Sequence, residues 1–87
     1  MKKWYVYILE CSDGSYYTGS TCDVKGRIEK HNDGKASKYT RSRLPVRLIY
    51  LERFGSRSSA CSREHRIKKM TRKEKEALVN GEENPLR

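Results

Sequence analysis

Two tyrosine-containing tripeptides, Tyr5-Val6-Tyr7 and Tyr17-Thr18-Gly19, flank a turn-like Ser12-Asp13-Gly14-Ser15. Downstream, Arg27 and His31 stand four residues apart, and Glu64 lies between Ala60 and Ile67 in a basic stretch. Taken together, these types suit phosphodiester hydrolysis. That reaction needs a positioned water, a base, a cation against the charge that builds on phosphorus, and a metal ligand. Phenol, imidazole, guanidinium and carboxylate side chains can supply those parts. Each residue alone also has a plainer reading. Strand tyrosines are usually packing residues, an Arg and His pair on a helix usually lies at the surface, and a Glu beside Arg63 and near Arg66 is usually ion-paired.

Whether these groups meet depends on the elements that carry them. Residues 3–11 are rich in aromatic and β-branched types, and the turn signal is followed by Tyr16-Tyr17-Thr18-Gly19-Ser20, which predicts a β-hairpin. From Thr21 or Asp23, Val24, Arg27, Ile28 and His31 recur at helical spacing until Asn32-Asp33-Gly34 ends the pattern. Val46 to Phe54 reads as a third extended segment with imperfect alternation. Ser56 offers an N-cap to a helix through Ala60, Glu64 and Ile67. Thr71 and Glu74 form a capping-box signature for a last helix ending near Asn80-Gly81. The order predicts a small α/β domain over residues 1–81, a three-stranded sheet flanked by helices, with residues 82–87 as a loose tail.

The hairpin turn decides whether the two tyrosines share a face. A two-residue Asp13-Gly14 turn would place Tyr7 and Tyr17 on opposite faces. A three-residue loop with Gly14 left-handed would set Leu9 opposite Tyr17 and Tyr7 opposite Gly19, putting both tyrosines on one face. The turn residues suit either geometry, and only the second makes a shared site. On the following helix, Arg27 and His31 lie beside Val24 and Ile28 and would look inward at the hairpin. On the next, Glu64 falls on the stripe that should be buried, where a carboxylate requires a cation.

Eighty-seven residues make one domain with a modest core. A formal charge of +9 favours an anionic partner, nucleic acid above all. Lys35, Lys38, Arg41, Arg43 and Arg47 form a stretch without an acidic residue, expected to bind nucleic acid through Lys35, Lys38, Arg41 and Arg43. No apolar run suggests a membrane span or signal peptide, so a cytoplasmic protein is expected, or a nuclear one in a eukaryote or virus. Cys11, Cys22 and Cys61 fit neither a disulfide framework nor a common zinc pattern.

In these motifs the chain resembles the GIY-YIG nuclease superfamily, across about residues 4–80. Tyr5-Val6-Tyr7 is similar to the GIY element, Tyr17-Thr18-Gly19 to YIG, the Arg27–Asn32 stretch to the helix with the essential Arg, and Glu64 to the metal-binding Glu. Its size, turn and the segment from Gly34 to Thr40 resemble the short, stand-alone branch. The resemblance implies Tyr17 as general base or orienter of the attacking water, with Tyr7 assisting. It further implies Arg27 on the scissile phosphate, His31 in proton transfer, and Glu64 binding a single Mg²⁺ or Mn²⁺. The expected activity is metal-dependent endonucleolytic hydrolysis of nucleic acid, DNA in the first place. A tyrosine base needs help, because its unperturbed pKa is about 10. Tyr5 replaces the Gly of GIY, Thr18 replaces the Ile of YIG, and the family's late Asn has only Asn80 as a candidate. Two other readings stand beside this one: a nucleic-acid-binding module of the same fold without catalysis, and a basic interaction protein whose tyrosines are structural.

Overall fold

The structure is a computed structural model that describes residues 2–86. β1 (Trp4–Glu10) and β2 (Tyr16–Thr21) form the hairpin, and β3 (Arg47–Phe54) pairs antiparallel with the other side of β1, giving the sheet order β2-β1-β3. α1 (Val24–Asn32) and the short α2 (Lys38–Arg41) cover one face. α3 (Arg57–Lys68) and α4 (Arg72–Val79) pack on the other.

The turn is the three-residue loop. Gly14 has φ of 85°, which an L side chain rarely adopts, and Cys11 N donates to Ser15 O at 2.8 Å. The Asp13 carboxylate fixes the loop by accepting from the Ser15 amide at 3.0 Å and the Ser15 hydroxyl at 2.6 Å. Leu9 therefore opposes Tyr17, and Tyr7 opposes Gly19. Both tyrosines face α1.

The imperfect alternation of the third strand has a cause in the pairing. The register against β1 shifts between Ile8 and Leu9, because Ile8 faces Tyr50 while Leu9 faces Leu48. The extra residue, Ile49, makes a bulge that sends Ile49 and Tyr50 to the same face. Two cores result. Val6, Ile8 and Tyr50 pack against Ala60 and Ile67 of α3, while Tyr7, Leu9, Cys11 and Val46 pack with Ile28 of α1.

Local capping sets the helix starts. Asp23 accepts from Gly26 N at 3.1 Å, Ser56 from Ser59 N at 3.2 Å, and Thr71 and Glu74 complete their reciprocal capping box. α2 is an element the sequence pattern does not announce. Its four residues are too few to show a period, and Ser37 caps it by accepting from Thr40 N at 3.1 Å.

The expected loose tail needs correcting over the described residues 82–86. Asn84 is buried, and its side-chain amide donates to Ile49 O and Val79 O, both at 2.8 Å. It supplies donors to two carbonyls that the bulge and the α4 terminus leave available, and so ties the segment to β3. Arg87 lies outside the described residues. Among the described residues no helix is long and apolar enough to cross a membrane.

Candidate active site

His31 is the hub of the α1 face. It is 1 % exposed, with Nε2 3.0 Å from the Tyr7 hydroxyl and Nδ1 2.9 Å from the Thr40 hydroxyl. Its ring meets those of Tyr7 and Tyr17 edge-on, at centroid distances of 5.9 and 5.1 Å. Burial, reinforced by the Arg27 charge, holds the imidazole pKa below its ordinary value. At neutral pH the ring is uncharged, so one nitrogen donates and the other accepts. If Nδ1 donates to Thr40, Nε2 is the acceptor for the Tyr7 proton. Thr40 is itself buried and braced by Ser37 Oγ at 3.2 Å, so α2 serves to hold the far side of the imidazole.

Tyr7 lies across the neighbouring strand through a gap that only glycine leaves. A Cβ on Gly19 would stand 2.6 Å from Tyr7 Cζ and closer still to its hydroxyl oxygen. Burial is the main reason that the phenol pKa is pushed up to about 12; Tyr17 and Glu64 add to the shift and Arg27 opposes it. Tyr7 is therefore a neutral hydrogen-bond donor at physiological pH. Arg27 acts on both Tyr7 and His31, and among the described residues it makes no ion pair.

Glu64 approaches from the opposite face. α3 packs over β1 and β2 on the side of Val6, whose cross-strand partner is Ser20. Ser20 Oγ donates to Glu64 Oε1 at 2.5 Å, and Lys68 Nζ lies 2.8 Å from Oε2. The cation that the carboxylate requires is thus Lys68, one helical turn on. Arg63 goes instead to Glu52 at 2.9 Å. Tyr7 lies against Gly19 and Glu64 bonds to Ser20, so the two side chains approach consecutive residues of the edge strand β2 from opposite faces.

Among the described residues no group of three or more His, Cys, Asp or Glu side chains is placed to hold a metal ion. The residues at the β2 edge suit a sparser arrangement. A single carboxylate fits a hard divalent ion that keeps most of its waters, and the Lys68 ammonium now seated on Glu64 would have to give way to it.

The basic stretch divides in two. Lys35, Lys38 and Arg41 line a shallow hollow with Gly34, Ala36 and Ser37, next to the α2 turn that braces His31. Arg43 is engaged internally: its Nε lies 3.1 Å from Asp13 Oδ2, its Nη1 donates to Tyr39 O at 2.7 Å, and its guanidinium sits 4.0 Å from the Tyr39 ring centroid. Tyr39 in turn stacks on Tyr17 at 6.1 Å. Asn80 caps α4 and lines a hollow with Arg47, Leu48, Ile49 and Val79, apart from the tyrosines, Arg27, His31 and Glu64.

Thr40, Ser20 and Lys68 are the contributors that sequence reasoning missed, whereas Gly19 stands where the three-residue-loop register puts it, opposite Tyr7. Lys68 left a signal, being four residues from Glu64 on a helix. Nothing local pointed to Thr40 or Ser20.

Residues 3–77 match the GIY-YIG catalytic domain. A UPF0213 protein of Haloquadratum walsbyi is 57% identical over 75 residues, covering 86% of this chain and 84% of its own length. The solution NMR structure of a UPF0213 protein from Bacillus halodurans aligns with a TM-score of 0.58 at 52% identity, over 88% of this chain and 82% of that one. The NMR structure of a protein from E. faecalis aligns with a TM-score of 0.62 at 43% identity, over 91% and 84%. The chain belongs to the GIY-YIG family, whose members are in general nucleases that use divalent metals on nucleic acid.

Proposed function

We propose that the protein is a metal-dependent endonuclease that hydrolyses phosphodiester bonds, with DNA as the primary substrate. What carries the reading is that consecutive residues of β2 meet both halves of the site, Gly19 the neutral Tyr7 that bonds to His31 and Ser20 the Glu64 carboxylate, while among the described residues Arg27 makes no ion pair. Arg27 holds the scissile phosphate and offsets the charge that grows on its oxygens. Tyr17, packed against His31, orients the attacking water. The Tyr7 hydroxyl passes its hydrogen bond to His31 Nε2, and the uncharged imidazole is poised to take up a proton at that atom while Thr40 holds the ring at Nδ1. Glu64 would hold Mg²⁺ or Mn²⁺, which supplies further positive charge against the phosphate. Lys35, Lys38 and Arg41, beside the α2 turn whose Thr40 braces His31, serve as phosphate-binding side chains that carry no sequence information, so selectivity by base should be weak.

One observation favours a second reading, a nucleic-acid-binding module without catalysis: the Lys68 ammonium already sits on Glu64. A cleavage assay separates the two. Single- and double-stranded DNA and RNA are incubated with the purified protein and Mg²⁺, Mn²⁺ or EDTA. Internal cuts that require a divalent ion are expected. Binding without cleavage on every substrate would establish the module instead.

A further inference from the structure

Lys68 has no part in the reaction so far, yet it occupies the carboxylate on which that reaction depends. It is the last residue of α3, and its Nζ lies 2.8 Å from Glu64 Oε2, while Ser20 Oγ holds Oε1 at 2.5 Å. Both carboxylate oxygens are therefore engaged within the protein. The two partners differ in freedom. Ser20 is fixed in β2, whereas the Lys68 side chain is 50 % exposed and reaches Glu64 at 20 % exposure on a flexible four-carbon stem. Through Glu64 and Ser20, the Lys68 ammonium sits beside β2, the strand that also carries Tyr17. An ammonium that leaves Glu64 is then already near the place where a phosphate would meet the tyrosines.

We propose that Lys68 is a tethered cation that couples metal binding at Glu64 to phosphate binding at the tyrosines, a proposal that rests on Glu64 being the metal ligand. Without nucleic acid, a divalent ion must dislodge the ammonium from Oε2 and stand beside its charge. A phosphodiester held by Arg27 gives the ammonium a second anion to pair with, and Glu64 is released to the ion. By linkage, phosphate raises the affinity for the ion by the same factor as the ion raises the affinity for phosphate. The protein alone then holds the ion weakly, and the site assembles on its substrate.

Mn²⁺ titrations followed by the EPR signal of the free ion test this on the whole chain. They compare the wild type with Lys68→Met, Lys68→Arg and Glu64→Gln, with and without a short phosphorothioate DNA oligonucleotide that keeps backbone charge and resists hydrolysis. Methionine preserves helix propensity at this half-exposed position, and arginine preserves the charge. Without DNA, Lys68→Met should bind Mn²⁺ about threefold more tightly or better, as expected from loss of a partly exposed ion pair, with Lys68→Arg close to wild type. The oligonucleotide should then raise wild-type Mn²⁺ affinity by a larger factor than that of Lys68→Met. If Glu64→Gln abolishes Mn²⁺ binding while Lys68→Met matches the wild type, or if the oligonucleotide helps both equally, the role of Lys68 is overturned and Glu64 remains the ligand. If Glu64→Gln binds Mn²⁺ like the wild type, the metal assignment itself falls, and this proposal with it.

Discussion

Gly19→Ala places a single methyl group where the Tyr7 ring now lies. The new Cβ would be 2.6 Å from Tyr7 Cζ and 3.1 Å from Cε2, against an optimal carbon–carbon separation of about 3.5–4.0 Å. The ring must retreat by roughly 1 Å, and at 1 % exposure it has little space for that. Either the hydroxyl is lifted from His31 Nε2, now 3.0 Å away, or β2 backs off from β1. Overpacking of this kind costs about 1–3 kcal/mol, and the alanine returns up to about 1 kcal/mol by restricting the unfolded chain. The net loss of about 1–2 kcal/mol should lower the melting temperature by roughly 5–15 °C in a domain of this size. Activity should fall further than stability, by about 10²-fold, because a displacement near 1 Å at a reacting group is enough for that. Circular-dichroism melts and kcat/KM on an oligonucleotide read the two effects. In a Tyr7→Leu background, which shortens the obstructing side chain, the same alanine should be nearly harmless to stability, a coupling that a double-mutant cycle isolates. A Gly19→Ala protein that melts and cleaves like the wild type, or a stability loss unchanged by Tyr7→Leu, would refute the proposed packing of Tyr7 through the glycine gap.

Burial and Arg27 lower the His31 pKa, so the unfolded chain takes up its proton first: the stability His31 confers is whole above about pH 6.5 and declines as pH falls through that value towards the folded pKa. Melts from neutral to mildly acidic pH should show a steeper loss in the wild type than in His31→Gln, and equal slopes would contradict it. Replacing Lys35, Lys38 and Arg41 with Gln should flatten the dependence of log Kd on log salt by about 0.7–0.9 for each phosphate no longer neutralised, whereas Arg43→Gln should act mainly on stability, since Arg43 is tied to Asp13 and Tyr39. An unchanged slope in the triple variant would remove that surface from the interface. Asn84→Ala deprives the Ile49 and Val79 carbonyls of their side-chain donors and should cost about 1–3 kcal/mol in a denaturant melt; no loss would restore residues 82–86 to the status of a loose tail.

What could be read from the residues was what they encode locally. Ser56, and Thr71 with Glu74, announce their helices because a cap is satisfied within three residues. The spacing of Tyr7, Tyr17, Arg27, His31 and Glu64 was legible for a similar reason, as each sits at a definable register of one strand or helix. The turn was ambiguous because Asp-Gly suits two loops, and the deciding Asp13–Ser15 bonds belong to the folded loop. α2 was hidden by its length, and the bulge at Ile49 blurred the period of β3. Thr40 and Ser20 were out of reach because their partners, His31 and Glu64, are brought to them by tertiary packing. Lys68 stands at helical spacing from Glu64, but Arg63 and Arg66 are nearer in sequence, and only tertiary packing draws Arg63 away to Glu52 on β3.

Cleavage of labelled DNA by the wild type, Glu64→Gln and Tyr17→Phe, each with Mg²⁺ and with EDTA, tests the central claim most directly. Both substitutions are nearly isosteric, so all three proteins should melt cooperatively at similar temperatures. The wild type should cut only with Mg²⁺, and each variant should be slower by about 10²-fold or more, as loss of one group acting at the reacting centre commonly is. Wild-type rates in either variant would contradict the role given to that residue, and a wild type that binds DNA but does not cut it with Mg²⁺ would contradict the enzyme.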